Sequence, residues 1–322
     1  MAASRNKAST DPVLQAVADC LSQYVGKTQS IVVGFSGGLD STVLLRAAKR
    51  LEGGAGVKLA AVHIHHGLSA NADAWADSCR SICHALEIPL AVIRVDVPSS
   101  SGEGIEAAAR RERHKALAEQ SADWILLAHH ADDQAETVLH NLLRGAGVRG
   151  AAAMPAARGR LLRPLLGLGR AALLAYGKSQ QLTWIEDESN GDKRYTRNFL
   201  RLEILPAIGV RFPRAGEQLA AAAVRFNEAS SLLDELAILD LGDNSAKFPL
   251  PRKLFGDLSD ARARNLLRAL LTWHQAQPPD DARLKEFVRQ LQTTGNERNP
   301  RIDLARYSLW CATGKLHFEG RD

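Results

Sequence analysis

Short apolar runs alternate with helix-patterned stretches through the first 145 residues, and this alternation limits the fold more than any other feature of the chain. Ile31–Phe35, Leu59–Ile64, Leu90–Val95 and Trp124–Ala128 are continuously apolar, as strands are when both faces of a sheet are covered. Between them, residues 11–26, Ser41–Leu51, Asn71–Leu86, Gly104–Gln120 and Asp132–Leu143 carry helical spacing. Strand and helix recur at about 30 residues, the length of a right-handed crossover, which predicts a parallel sheet sheathed by helices.

After Gly145 the pattern changes. Residues 145–169 are punctuated by Gly, Arg and Pro and read as a long connector. Arg170–Gln181 and Ala215–Leu239 read as helices, with a linker at Asp243–Ser245. Further on, helices around Ala261–Trp273 and Ala282–Gln292 mix with short strands at Arg306–Cys311 and Lys315–Phe318. We therefore expect two domains, residues 1–214 and residues 215–322, which suits a chain of 322 residues.

Composition narrows the classes. No apolar stretch of about 18 residues is present, so no membrane helix is expected. The first ten residues carry no apolar core of a secretory signal, which points to the cytoplasm. Cys20, Cys79, Cys83 and Cys311 form no C-x-x-C pair and read as reduced thiols rather than a metal or redox site. The net charge is +5, yet residues 144–214 alone hold 13 basic and 5 acidic side chains. Such a concentration suits a polyanion such as RNA, and equally a solvated surface with scattered arginines.

The first strand runs into Ser36-Gly37-Gly38-Leu39-Asp40-Ser41-Thr42 and then directly into a helix. Glycines let a backbone approach an anion, and a helix N-terminus offers N–H groups and a favourable dipole, so the string can cradle phosphate. It is neither G-x-x-x-x-G-K-[ST] nor G-x-G-x-x-G. Asp40 would repel a bare phosphate unless a metal bridged the two. An ordinary turn with a polar cap is the other reading. Asp132, Asp133 and Glu136 open a later helix, with positions 133 and 136 on one face. They can accept an ammonium or a metal, or simply complement the helix dipole. His63, His65 and His66 lie on or after the second strand without a further cluster to complete a zinc site.

The string Ser36–Ser41 resembles the PP-loop of the N-type ATP pyrophosphatases. Three further stretches sharpen the resemblance. They are Val62–Leu68 with Asn71-Ala72-Asp73; Ala128-His129-His130-Ala131-Asp132-Asp133-Gln134-Ala135-Glu136-Thr137, running on to Arg144–Gly147; and Trp184–Asp187 with Ser189-Asn190 and Tyr195–Asn198, then Arg201. Together they are similar to the tRNA(Ile)-lysidine synthetase family over residues 28–206, and more loosely beyond. The resemblance implies an α/β fold with a five-stranded, parallel, doubly wound sheet of the adenine nucleotide alpha hydrolase-like kind, followed by a small, mainly helical C-terminal domain. It implies a ligase that adenylates the wobble cytidine of the CAU anticodon of tRNA(Ile) with ATP. Free lysine then displaces AMP. ATP and Mg²⁺, this tRNA and lysine are the expected ligands, with no membrane partner and a homodimer as the assembly to test.

Residue by residue, the resemblance gives phosphate binding to Ser36, Gly37, Gly38, Leu39, Asp40, Ser41 and Thr42, and adenine contacts to His63 and Ile64. Asp40 and Asp133 are the expected metal ligands. Asp133 and Glu136 bind lysine, and His129 lies near the reacting phosphate. Arg110, with Arg113 on the same face, lines the active site, although Arg110 is also within helical reach of Glu106. Arg197, Asn198 and Arg201 face the tRNA. The chain departs from the family at Glu188, where Pro is usual, and at His114, where Tyr is usual. It reads as a short member or a piece of a longer one. The competing readings are a PP-loop tRNA 2-thiolation enzyme, a small-molecule PP-loop ligase and a non-catalytic nucleotide-binding module.

Overall fold

The computed structural model describes residues 11–98, 105–186, 191–293 and 299–321. Asp187, Glu188, Ser189 and Asn190, and the side chain of Glu106, lie outside the described residues. The chain divides into two compact units, residues 1–226 and 227–322.

The first unit is built from α1 (Pro12–Tyr24), β1 (Ser30–Gly34), α2 (Leu39–Ala55), β2 (Lys58–His65), α3 (Ala72–Ala85), β3 (Leu90–Arg94), α4 (Ile105–Ala118), β4 (Trp124–Leu126) and α5 (Ala131–Leu143). After these come α6 (Val148–Ala151), β5 (Ala157–Arg158), β6 (Leu161–Leu162), α7 (Arg170–Ser179), α8 (Thr196–Phe199), a π-helical turn at Leu200–Ile204 and α9 (Leu205–Arg211). The next helix, α10 (Ala215–Leu241), carries the division between the units within it.

The sheet order is β3-β2-β1-β4-β6-β5. Five strands run parallel, as expected, and β5 pairs antiparallel with β6 at the edge. The fifth parallel strand arises inside the stretch read from sequence as a connector. Two residues of Leu161–Leu162 between Arg160 and Arg163 are too few to show a strand pattern. Their pairing is fixed instead by register, Ile125 against Leu161 and Leu126 against Leu162. Arg160 helps anchor the turn by donating to the Ala118, Gln120 and Ala122 carbonyls.

Apolar residues on the strands and on α2 make the core of this unit. Ile31, Val33, Val43, Leu44, Leu45, Leu126, Leu162 and Leu173 are fully buried. Each such side chain contributes about 1.5–3 kcal/mol when removed from water. At the start of α1, Pro12 sits in the first turn and the Asp11 carboxylate accepts from the Val13 amide at 2.8 Å. Gly56, in the left-handed region, stops α2.

The topology positions the site. From β1 the chain moves outward through β2 and β3, then returns to build β4 and β6 on the other side. Strand order reverses between β1 and β4, so their carboxyl ends flank a crevice where ligands bind in open α/β sheets.

The second unit continues from the end of α10 into β7 (Leu250–Pro251), α11 (Lys253–Gly256), α12 (Asp260–Trp273), α13 (Asp281–Thr293), β8 (Arg301–Asp303), β9 (Tyr307–Ala312) and β10 (Lys315–Gly320). Its strands form an antiparallel sheet in the order β7-β10-β9-β8. Phe255, Leu266, Leu270, Leu284, Val288, Leu309 and Leu316 fill its core. The two short strands β7 and β8 add to the pair that the sequence pattern revealed.

Candidate active site: a glycine loop between carboxylates and cations

The loop after β1 is shaped by its hydroxyls. Thr42 Oγ1 donates to the Gly38 carbonyl at 2.9 Å and lies 3.2 Å from that of Gly37. Ser41 Oγ donates to the Gly38 carbonyl at 3.0 Å and sits 3.0 Å from Ser36 Oγ. These bonds hold the turn closed at the start of α2, where Gly38 is the N-cap and no side chain caps the helix. The first-turn amides are thereby left for an anion. Gly37 has φ +85°, and a Cβ there would lie 2.5 Å from Ile185 Cδ1 and 2.9 Å from Cys79 Sγ, so only glycine fits. Leu39 is buried in the core and takes no part in the loop's polar contacts. Asp40 Oδ1 is buried with no hydrogen-bond partner.

Across the crevice, the chain leaves β4 through Ala128 and His129 to His130, the N-cap of α5. The His130 amide donates to Asp133 Oδ2 at 2.9 Å, and the Asp132 amide donates to His130 Nδ1 at 3.2 Å, closing a reciprocal cap. His130 Nε2 lies 3.5 Å from Asp40 Oδ2 and 3.6 Å from Asp133 Oδ2, so the ring joins the glycine loop to α5. Burial opposes a charge on this ring. The carboxylates of Asp132 and Asp40, with the charge of Asp133, outweigh it and push His130 up to about 10. In the neutral ring Nδ1 accepts the Asp132 amide; a protonated ring turns instead to the Asp132 carboxylate, 3.3 Å away. Asp132 also accepts from the Arg170 amide at 2.7 Å. The sequence motif contains His130, but nothing in its spacing gave the residue a role.

One turn along α5, Glu136 is buried, 7% exposed, and its Oε1 lies 3.8 Å from Arg201 Nε. Burial, with Asp133 alongside, pushes Glu136 up to about 7, against the pull of Arg201 and Arg197. Burial likewise raises Asp133, opposed by His130. Arg201 Nη2 donates to Asn198 Oδ1 at 2.9 Å, while Asn198 Nδ2 donates to the Asp192 carbonyl at 2.9 Å. The structure thus brings Asp40, Asp133, Glu136, Asn198 and Arg201 into one linked set.

The residue before His130 faces a different environment. His129 Nδ1 is buried without a partner, and the ring is pushed down to about 3 by burial and by Arg163, Arg113 and Arg110. His114 falls to about 4 through burial and the same arginines, and His66 to about 4 through burial and Arg113. Adjacent residues in extended backbone point to opposite sides. His130 thus meets carboxylates, whereas the charges bearing on His129 are those of a group of arginines. Arg110 and Arg113 belong to that group, both engaged by neighbours. Arg163, which the connector reading hid, belongs there too.

His63 packs behind the glycine loop, whose Gly37 also approaches Cys79. Its Nδ1 lies 2.9 Å from the Phe35 carbonyl and 3.4 Å from Cys79 Sγ, so its ring ties the residue after β1 to α3. His65 is occupied by Asp73 at 3.1 Å. Among the described residues no group of three or more His, Cys, Asp or Glu side chains is arranged to hold a metal. The orphaned Asp40 oxygen nevertheless suits a divalent cation whose other ligands are phosphates and water, the usual way Mg²⁺ is held.

Comparison with known proteins agrees with this geometry. Residues 10–208 match the family described as the PP-loop domain, and residues 250–317 match the TilS substrate binding domain. The fold is shared with the U34-tRNA thiolase NcsA of Methanococcus maripaludis, at TM-score 0.57 and 14% identity, over 67% of this chain and 78% of that one. Glycine loop and sheet thus define a PP-loop protein. The tRNA(Ile)-lysidine synthase of Azoarcus sp. strain BH72 is 44% identical over 92% of this chain and 67% of its own. That of Aromatoleum aromaticum is 48% identical over 84% of this chain and 64% of its own. The chain belongs to the tRNA(Ile)-lysidine synthase family, and it spans about two thirds of the length of these relatives. No helix among the described residues is long and apolar enough to cross a membrane.

Proposed function

We propose that the chain carries out ATP-dependent lysidine formation on the CAU anticodon of tRNA(Ile). The observation that carries this reading is the pairing of an anion-cradling glycine loop with two carboxylates, half-buried Asp133 and buried Glu136, across one crevice. The loop amides, with Ser36, hold the terminal phosphates of ATP, while the Ser41 and Thr42 hydroxyls keep the loop in shape. Asp40 and Asp133 would hold Mg²⁺, which supplies charge neutralisation to the triphosphate when bound. The 2-carbonyl oxygen of the wobble cytidine attacks the α-phosphorus, pyrophosphate leaves, and the base becomes an adenylyl ester. The lysine amine then attacks C2 and AMP leaves. A free amine titrates at about 10.4, so it must lose a proton before it attacks. Glu136, raised to about 7 by burial and by Asp133, is matched to accept that proton near neutral pH. Asp133 and Glu136 also present the negative charge that positions the lysine ammonium.

ATP and tRNA precursors set the place of work in the cytoplasm. A thiolation chemistry would need a reactive thiol. Burial instead pushes Cys79 up to about 12 and Cys83 and Cys20 to about 11, which keeps them inert. The test is direct: purified chain, ATP, Mg²⁺, labelled lysine and a CAU-anticodon tRNA(Ile) transcript. Lysine incorporated into that tRNA, with one AMP per lysine, is the expected result. Incorporation of sulfur, or ATP consumption with no lysine in RNA, contradicts it.

A further inference from the structure

Arg163 follows β6 directly and is buried, 7% exposed. Its Nη1 donates to the Pro155 carbonyl at 2.8 Å, its Nε is buried without a partner, and it makes no ion pair among the described residues. Guanidinium does not shed its proton in a protein, so the charge persists. Burying a charge without an acid is strongly unfavourable. The charges around it make the position worse. Arg158 bears on Arg163, and Arg163 bears on His129 and His114 together with Arg110 and Arg113. The imidazole of His129 adds a second buried, unpartnered nitrogen. The strand register fixes where this happens. β6 runs parallel to β4 with Leu162 opposite Leu126, so Arg163 leaves the same carboxyl edge as His129. It lies on the side of β4 away from the glycine loop of β1.

We propose that Arg163 is a phosphate-binding residue, completing its buried guanidinium with an oxyanion of the substrate at the far side of the crevice from the glycine loop. The inference rests on the reading of ATP and tRNA as substrates. The loop accounts for the terminal phosphates. An anion two strands away is a different one, either the phosphate of the adenylyl group or a backbone phosphate of the RNA. Both present the same chemistry to a guanidinium, whose planar fork matches phosphate in two parallel bonds.

The experiment measures binding of AMP and of an unmodified CAU-anticodon tRNA transcript to wild type, R163M and R163K, with thermal melting of each unliganded protein. R163M is expected to bind one of the two ligands at least about tenfold more weakly, the order of a lost charge-assisted contact. Its melting temperature should equal or exceed that of wild type, because an unpaired buried charge has been removed. Loss of AMP binding assigns the site to the nucleotide, and loss of tRNA binding assigns it to the RNA backbone. Unchanged affinity for both ligands, or weakening seen only with a lowered melting temperature, overturns the inference. If R163M does not fold, R163K decides. It keeps the charge and loses the fork, so weaker binding of one ligand at an unchanged melting temperature supports the inference, and wild-type affinity for both overturns it. A wild-type chain that binds neither ligand would sink the functional reading itself, and this inference with it.

Discussion

Glu136 and the pair His129–His130 show how strongly position sets the chemistry of single residues in this chain. Two neighbouring imidazoles move in opposite directions, to about 3 and about 10: burial, reinforced by arginines, lowers His129, whereas carboxylates outweigh burial at His130. Glu136 moves from its ordinary 4.5 to about 7 through burial, then through Asp133. Between these two values the folded chain keeps a proton that the unfolded chain has released. Stability from this group therefore falls as pH rises through that window. Glu136→Gln removes the titration, so chemical denaturation should show a shallower loss of stability between about pH 4.5 and 7 than in wild type. The same variant should raise the KM for lysine while leaving ATP binding unchanged. An identical pH–stability profile in the two proteins would contradict the assigned environment. The carboxylate face of Asp133 and Glu136 was readable from spacing alone. The opposed fates of the two histidines were not, since they depend on arginines that arrive from α4 and from the end of β6.

At the scale of elements, α5 is held by its side chains as well as by its cap. Gln134, 3% exposed, donates from Nε2 to the Met154 carbonyl at 2.8 Å and accepts from the Met154 amide at 2.9 Å. This pair of bonds ties the helix that carries Asp132, Asp133 and Glu136 to the segment leading into β5. Gln134→Leu would leave two buried backbone groups without partners, a loss of about 3 kcal/mol. Urea unfolding should report that loss, and the lysine KM should rise as the carboxylates shift. A variant as stable as wild type would mean that the segment relaxes to satisfy itself. The four longer strands and their helices were legible because apolar runs and turn residues alternate in step. β5 and β6 were not, because two-residue strands carry no period. They exist because register with β4 and the Arg160 bonds to three carbonyls hold them in place.

For the whole molecule, the order β3-β2-β1-β4-β6-β5 explains why residues distant in sequence share a site: Asp40 leaves β1, His130 and Asp133 follow β4, and Arg163 follows β6. The glycine string announced the loop, and the resemblance of surrounding motifs announced the family. Neither revealed that His130 would meet carboxylates while arginines bear on His129. The proposed reaction must hold an ammonium ion and a phosphate ester in one site. Its central requirement is that ATP be cleaved between the α and β phosphates at the loop that carries Asp40. Phosphate products should be measured for wild type and Asp40→Ala in the presence of tRNA and lysine. Wild type should release pyrophosphate and AMP, and the variant should release neither above background. ADP as the product, or undiminished pyrophosphate from the variant, would contradict the account.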